Sequence, residues 1–173
     1  VCKIFSTEKV YYYKAFGDVN VDTIYDVASL SKIITSTEIL MLINDGKINL
    51  NGKISSYLPI INEFQVLNER LKDVTVDKLL THNSGLIDWY PIYAEEGNIF
   101  EIMNKVVGRY EKFKGTLYSD LNFMLLAEII KSVTGLSLEE SLDKYIKQRL
   151  NIKNICYCPS GRSNIAPTSY GNG

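Results

Sequence analysis

Histidine and cysteine are scarce in this chain, and their scarcity excludes several kinds of site. There is one histidine, His82, and there are three cysteines among 173 residues. A His-rich zinc site is therefore excluded, a two-cysteine zinc site is disfavoured, and a Ser-His-Asp triad would need His82. The odd cysteine count is not that of a disulfide framework, and Cys156 and Cys158 lie too close together to pair without strain.

The chain also has little net charge and no long apolar run. Its 19 basic and 20 acidic residues give a net charge of −1, so it lacks the basic face of a general nucleic-acid-binding protein. No apolar stretch is long enough to form a transmembrane segment, and the opening VCKIFSTEKVYYYKAFG does not resemble a signal peptide. The 46% of hydrophobic and 23% of charged residues are typical of a soluble globular domain.

The residue pattern predicts a β-hairpin followed mostly by helices. Two β-prone runs flank the polar STEK in CKIFSTEKVYYYKAFG. Apolar residues at helical spacing predict a helix from Ser29 to Asp45, which Gly46 ends. KINLNGKISSYLPI is a short alternating stretch, and the tail from residue 151 is loop-like.

Capping signals predict the later helices. Thr75 starts one or two turns in TVDKLLTHNSGL, and GNIFEIMNKVV is a further helix. Asp120 can cap LNFMLLAEIIKSVTG. Ser137 and Glu140 form a capping box that begins a helix running to about Leu150.

These elements give an α+β fold class with one apparent deficiency. A two-stranded hairpin is marginal by itself, so the helices need a larger antiparallel sheet on which to pack. Its other strands are not found in this sequence. We therefore expect residues 1–173 to form a single, incomplete domain whose C-terminal strands are missing.

The pattern S-x-x-K marks a candidate nucleophile. It occurs at Ser6/Lys9, Ser29/Lys32 and Ser141/Lys144. Only Ser29 lies at a predicted helix start, where unpaired N–H groups favour developing negative charge. Lys32, three residues later, lies on the same face of the predicted helix as Ser29. Burial beside the neighbouring isoleucines would lower the pKa of this lysine and make it a base. The alternative is a capping serine with a solvated lysine.

Tyr118 is a second candidate for proton transfer. It precedes a predicted helix, and a phenol beside the Lys32 ammonium is stabilised as phenolate and can share protons with it. The alternative is a packing role, because the chain contains 12 tyrosines.

Four segments in order, ASLSK, LLTHNSGL, YSDLNFMLLAEIIKSVTG and NIAPTSYGNG, resemble the serine β-lactamase/penicillin-binding-protein-like superfamily. The resemblance is to class C β-lactamases, D-alanyl-D-alanine carboxypeptidases and related esterases, and S-x-x-K is part of it. It implies a β-lactamase/transpeptidase-like fold, a small-molecule or peptidoglycan-peptide substrate, and neither a metal nor a cofactor.

The resemblance also implies residue roles. Ser29 is the acylated nucleophile, and its backbone N–H is half of the oxyanion hole. Lys32 takes its proton, and Tyr118 protonates the leaving group and later activates water. His82 is structural rather than catalytic, and Trp89 lines the pocket or packs.

Two departures from the family pattern affect substrate and completeness. The family commonly has Tyr-x-Asn, whereas Asp120 stands here. An ionised aspartate cannot donate to a substrate amide carbonyl, and it would raise the pKa of Lys32. The third motif, K-T-G or H-x-G, lies on a later strand, so we expect an N-terminal portion whose exposed sheet edge promotes self-association.

The predicted function is therefore a serine acyl-transfer hydrolase for a D-alanyl peptide, a β-lactam or a small ester. The alternatives are a penicillin-sensor module that acylates without turnover and a non-catalytic scaffold. The compartment stays open, since a peptidoglycan substrate implies an extracytoplasmic protein and an esterase a cytoplasmic one.

Overall fold

The computed structural model describes residues 1–159 and 161–168. It contains two compact units, one formed by Val1–Leu30 with Tyr157–Gly173 and one by Ser31–Cys156. The last part of the NIAPTSYGNG segment, from residue 169 onward, lies outside the described residues.

The first unit contains the predicted hairpin. Strands β1 (Cys2–Phe5) and β2 (Val10–Lys14) pair in antiparallel register, and the Ser6 N–H closes the turn on the Lys9 carbonyl at 2.8 Å. Every side chain of both strands is exposed. The hairpin prediction is confirmed.

A short parallel contact links the ends of the first unit. Ile24 pairs with Ile165, because the Ile24 N–H donates to Asn164 and the Ala166 N–H donates back to Ile24, both at 2.9 Å. The Thr23 hydroxyl adds a hydrogen bond to the Asn164 side chain at 2.8 Å.

The predicted helix start at Ser29 is wrong by two residues. Ala28–Leu30 is a 3-10 turn, and the Leu30 N–H bonds to the Val27 carbonyl three residues back. Ala28 has a left-handed φ of 44°, which interrupts a regular helix at this point. Helix α1 then begins at Ser31.

The second unit is helical and holds the core. Its elements are α1 (Ser31–Asn44), α2 (Gln65–Leu71), α3 (Val76–Leu80), α4 (Ile99–Val107), α5 (Asp120–Thr134), α6 (Leu138–Ser141), a π-helical segment Leu142–Lys147 and α7 (Gln148–Leu150). Helix α5 buries leucines and isoleucines at 121, 125, 126, 129 and 130 and packs on α1, α3 and α6. It is the central element of this unit.

Several predicted helix ends are confirmed. Gly46 and Gly135 have φ values of 71° and 68°, a conformation that only glycine adopts without strain. Ser137 and Glu140 form the expected capping box, and Thr75 caps α3 by accepting from the Lys78 N–H.

The secondary structure predicted for the residues before α3 is wrong. Helix α2 was not expected, and KINLNGKISSYLPI contains a 3-10 turn at Ile54–Ser56 instead of alternating strand-like structure. Ile54, Leu58 and Ile61 are all buried. Their spacing of four and then three residues is the spacing of helical turns. The polar residues between them make this pattern hard to recognise in the sequence.

Among the described residues the fold is thus helix-rich with a two-stranded antiparallel sheet. In the same residues no single helix is long and apolar enough to span a membrane. Asp120–Thr134 and Leu138–Leu150 reach that length and composition only together, and they are bent by 77°.

Candidate active site

An ion pair joins the beginnings of α1 and α5. Lys32 Nζ lies 2.6 Å from Asp120 Oδ1, and the two side chains are 16% and 34% exposed. A carboxylate in the first turn of α5 is favoured by the helix dipole, whereas a cation in the first turn of α1 is not. The Asp120 carboxylate therefore offsets the unfavourable helix position of the Lys32 cation.

The Tyr118 ring lies beside this ion pair. Lys32 Nζ is 4.8 Å from the Tyr118 ring centroid and 5.7 Å from that of Phe123, within the range of cation–π attraction. The Tyr118 side chain is 53% exposed. One face of the cluster is therefore open to solvent.

His82 holds the chain on both sides of Tyr118. Its carbonyl accepts from the Leu117 N–H at 3.0 Å, and its Nδ1 accepts from the Ser119 N–H at 3.0 Å. Its ring lies 4.5 Å from the Tyr118 ring, centroid to centroid. This is consistent with the structural role that the resemblance assigned to His82.

A buried polar pair supports His82 from behind. Asn122 Nδ2 lies 3.2 Å from His82 Nδ1, and Asn122 Oδ1 accepts from the Ser84 hydroxyl at 2.5 Å. Sequence reasoning missed both residues. Their signal was a single amide on the otherwise apolar buried face of α5, because Asn122 is fully buried and a buried amide needs partners.

The pKa of Lys32 is raised, whereas the sequence predicted that burial would lower it. Burial is the largest single influence and lowers the lysine pKa, but hydrogen bonds and charge interactions with Asp120 and Tyr118 together raise it above 10.5. The expected lowering is wrong and the expected effect of Asp120 is confirmed. Lys32 is therefore an ammonium at neutral pH.

The alternative that Asp120 is a helix cap is also wrong. Ser119 occupies the N-cap position of α5, and its side chain makes no cap hydrogen bond. Asp120 is the first residue of α5, and its carboxylate bonds to Lys32 instead. Its N–H donates to the Asp88 carbonyl at 2.8 Å.

The structure thus brings together three of the five predicted site residues, Lys32, Tyr118 and Asp120. Trp89 follows Asp88 in an adjoining loop and is 52% exposed, so its substrate-binding role stays a prediction. Ser29 is an exposed residue of the first unit. Its reaction with Lys32 and Tyr118 also stays a prediction.

Comparison with protein families identifies the chain. The family model named Beta-lactamase matches residues 3–161. The chain therefore belongs to the Beta-lactamase family, a group of serine hydrolases, as the four sequence motifs predicted.

Individual relatives are distant and longer. The chain is 27% identical over 150 residues to a protein of Salmonella paratyphi A named "Putative D-alanyl-D-alanine carboxypeptidase", covering 80% of this chain and 35% of that protein. It therefore spans about a third of the length of such curated relatives.

Solved structures confirm the fold. An octameric penicillin-binding protein homologue from Pyrococcus abyssi superimposes with a TM-score of 0.71 at 22% identity, over 95% of this chain and 42% of that one. A class C β-lactamase from Rhodobacter sphaeroides gives a TM-score of 0.64 at 23% identity, over 78% and 37%. The predicted β-lactamase/transpeptidase-like fold is confirmed.

Proposed function

We propose that this chain is the N-terminal part of one serine acyl-transfer hydrolase domain, which acylates Ser29 with an ester or amide substrate. The observation that carries the proposal is the Lys32–Asp120 ion pair, 2.6 Å long, beside the exposed Tyr118 ring. A cation held against a solvent-accessible phenol is a proton-transfer arrangement, because it favours the phenolate over the phenol.

The backbone before Ser29 supports its role as nucleophile. Ala28 is a non-glycine residue at φ 44°, and its N–H donates to Asp26 Oδ1 at 2.7 Å. Left-handed backbone at such a residue costs of order 1–3 kcal/mol and is concentrated at functional sites. A conformation of this cost directly before an exposed serine favours a reactive group over a capping one.

The charge of Lys32 determines the proposed proton path. An ammonium cannot accept the serine proton, so the Tyr118 oxygen takes it while Ser29 Oγ attacks the substrate carbonyl carbon. The Ser29 N–H stabilises the oxyanion, and Tyr118 returns the proton to the leaving group as the bond to it breaks. Tyr118 then takes a proton from water as the water oxygen attacks the acyl carbon, and it gives that proton to Ser29 Oγ as the ester bond breaks.

Asp120 restricts the substrate in this proposal. Its carboxylate accepts hydrogen bonds but donates none when ionised, so it cannot bind the carbonyl of a β-lactam side-chain amide as an asparagine would. Small esters, which need no such amide contact, fit this site better. Trp89, exposed beside Asp88, is the proposed apolar wall.

Covalent labelling tests the proposal. The full-length protein is treated with a fluorophosphonate and with a fluorescent penicillin, and the modified residue is located by mass spectrometry. We expect an adduct on Ser29 that Ser29→Ala abolishes. Ser6→Ala is the matched control, because Ser6 is the exposed serine of another S-x-x-K pattern. Undiminished labelling of Ser29→Ala would overturn the assignment.

A second candidate, a penicillin-sensor module, is favoured by the same ion pair. A lysine held as ammonium by Asp120 offers no second base for hydrolysis of the acyl-enzyme, so deacylation would be slow. Burst kinetics with a chromogenic ester separate the two, because a sensor gives one equivalent of product and then stops. A scaffold gives no adduct with either probe.

A further inference from the structure

We propose that His82 is a positioning residue for Tyr118, and that it acts as a neutral imidazole whose Nδ1 carries no proton. Its two hydrogen bonds, each 3.0 Å long, fix Leu117 and Ser119, the residues before and after Tyr118. Its ring packs on the Tyr118 ring at 4.5 Å with a tilt of 35°. The carbonyl and the Nδ1 of His82 therefore hold the backbone on the two sides of Tyr118, and the imidazole packs on the Tyr118 ring.

The hydrogen-bond donors define the tautomer. A backbone N–H can only donate, so the Ser119 N–H requires a lone pair on His82 Nδ1. Asn122 agrees with this, because its Oδ1 accepts from Ser84 at 2.5 Å and its amide nitrogen lies 3.2 Å from Nδ1. The Leu86 N–H in turn donates to Ser84 Oγ at 3.1 Å. The single imidazole proton is thus on Nε2.

The backbone of His82 is set by the end of α3. His82 has a φ of 57° and follows the C-cap residue Thr81, the position at which helices commonly adopt a left-handed conformation. The Asn83 N–H closes this end of the helix on the Lys78 carbonyl at 2.8 Å. The His82 ring is therefore positioned by the end of α3 as well as by its contact with Ser119.

The charged groups around His82 oppose its protonation. Lys32 from α1 and Asp120 from α5 act on the imidazole through their charges, and the Tyr118 ring packs on it. Burial and the charge of Lys32 lower the pKa of His82 below 6.5, and Asp120 only partly opposes them. An imidazolium would also turn an N–H toward the Ser119 N–H, so protonation breaks the contact that positions Tyr118.

Two substitutions of His82 test the role of its Nδ1 acceptor and the role of its ring separately. His82→Asn keeps an acceptor near the position of Nδ1, tolerates a left-handed φ and does not titrate. His82→Phe keeps a ring against Tyr118 and removes the acceptor. The catalytic consequence rests on the proposed acylation of Ser29 and is measured as the rate of fluorophosphonate labelling of the full-length protein.

We expect His82→Phe to label about 10²-fold more slowly at pH 7.5, because a small displacement of Tyr118 suffices for such a loss. His82→Asn should stay within about tenfold of the unsubstituted protein. The unsubstituted rate should fall as acid protonates His82 through its lowered pKa, and His82→Asn should lose that part of the acid limb. Equal losses that follow the unfolded fraction, with an unchanged pH profile, would overturn the proposal.

Imidazole NMR tests the positioning without any reaction. Histidine-selective 15N labelling of the full-length protein, with His82 assigned through His82→Asn, should show the Nε2–H tautomer at pH 7. Acid titration should shift the Ser119 amide together with the ring. A proton on Nδ1, or titration that leaves Ser119 unmoved, overturns the inference. If no probe acylates Ser29, the proposed function fails, while this measurement still decides the role of His82.

Discussion

Helix α1 carries two ionisable side chains that the protein treats differently. Lys32, in the first turn, is 16% exposed and has the Asp120 carboxylate at 2.6 Å. Glu38, in the middle of α1, is 1% exposed, and its Oε2 accepts from the Ser141 hydroxyl at 2.7 Å. Its Oε1 has no hydrogen-bond partner among the described residues.

The pKa is raised at both positions, but the consequences are opposite. Charge and hydrogen-bond partners raise the pKa of Lys32 against the effect of burial, which keeps the cation charged. Burial raises the pKa of Glu38 above 4.5 against the effect of Ser141, which drives the carboxyl toward its neutral form. A buried charge persists only where an opposite charge is supplied. Lys32 therefore keeps its charge beside Asp120, and burial in the core disfavours the charge of Glu38.

Removing the cation should have the largest effect. Lys32→Met leaves the Tyr118 phenol without its ammonium, and we expect the rate of Ser29 labelling to fall by about 10²–10⁴-fold. The matched control is Lys53→Met, which breaks an ion pair with Asp73 whose side chains are 57% and 64% exposed.

The result for Lys32→Met is compared with that for the exposed Lys53–Asp73 pair. An exposed ion pair contributes little to stability, so Lys53→Met should change neither labelling nor thermal unfolding by much. A Lys32→Met variant that labels as fast as Lys53→Met would remove Lys32 from the proposed mechanism.

Neutralising Asp120, the partner of Lys32, should have a smaller effect, and that effect should change with pH in a defined direction. The pair stabilises the fold fully below the unfolded lysine pKa of 10.5, and this contribution is lost as the pH rises through the higher folded value. Asp120→Asn keeps a hydrogen-bond acceptor but loses the charge, so we expect about 1 kcal/mol less stability at pH 7.

Urea unfolding at pH 7 and pH 11 measures this difference, and labelling rates across the same range measure its effect on chemistry. The alkaline loss of labelling should begin at a lower pH in Asp120→Asn. Asp73→Asn is the control at the exposed pair. An unchanged alkaline limb in Asp120→Asn would show that the carboxylate does not set the charge of Lys32.

Local signals were enough to predict the ends of several elements. Gly135 ends α5, and the Ser137–Glu140 box begins α6, because each involves residues at most a few positions apart. The order of the four motifs likewise predicted the family and the fold without any knowledge of packing.

Long-range packing decided what the sequence left open. Asp120 had equally good local reasons to cap α5 or to approach Lys32, and only the packing of α5 on α1 brings together residues 88 positions apart. The direction of the Lys32 pKa followed from that partner. The sequence predicted Ser29 in a helix, because nothing about an alanine indicates the left-handed φ that Ala28 adopts.

The smallest effect is expected at Glu38. A carboxyl whose folded pKa is raised stabilises the protein most below its unfolded pKa of 4.5, and stability falls as the pH rises through the folded value. Glu38→Gln keeps an acceptor for Ser141 and cannot ionise, so it should abolish this slope and stabilise the fold at pH 7 by at most about 1 kcal/mol.

Ser141→Ala is the companion variant, because it removes the hydroxyl that opposes the raised pKa of Glu38. It should destabilise the fold by about 1 kcal/mol and steepen the loss of stability with rising pH. Thermal unfolding from pH 4 to pH 8 measures both variants, and neither should alter labelling of Ser29. A Glu38→Gln variant with the original pH slope would show that Glu38 stays ionised in the core, and the contrast with Lys32 would then fail.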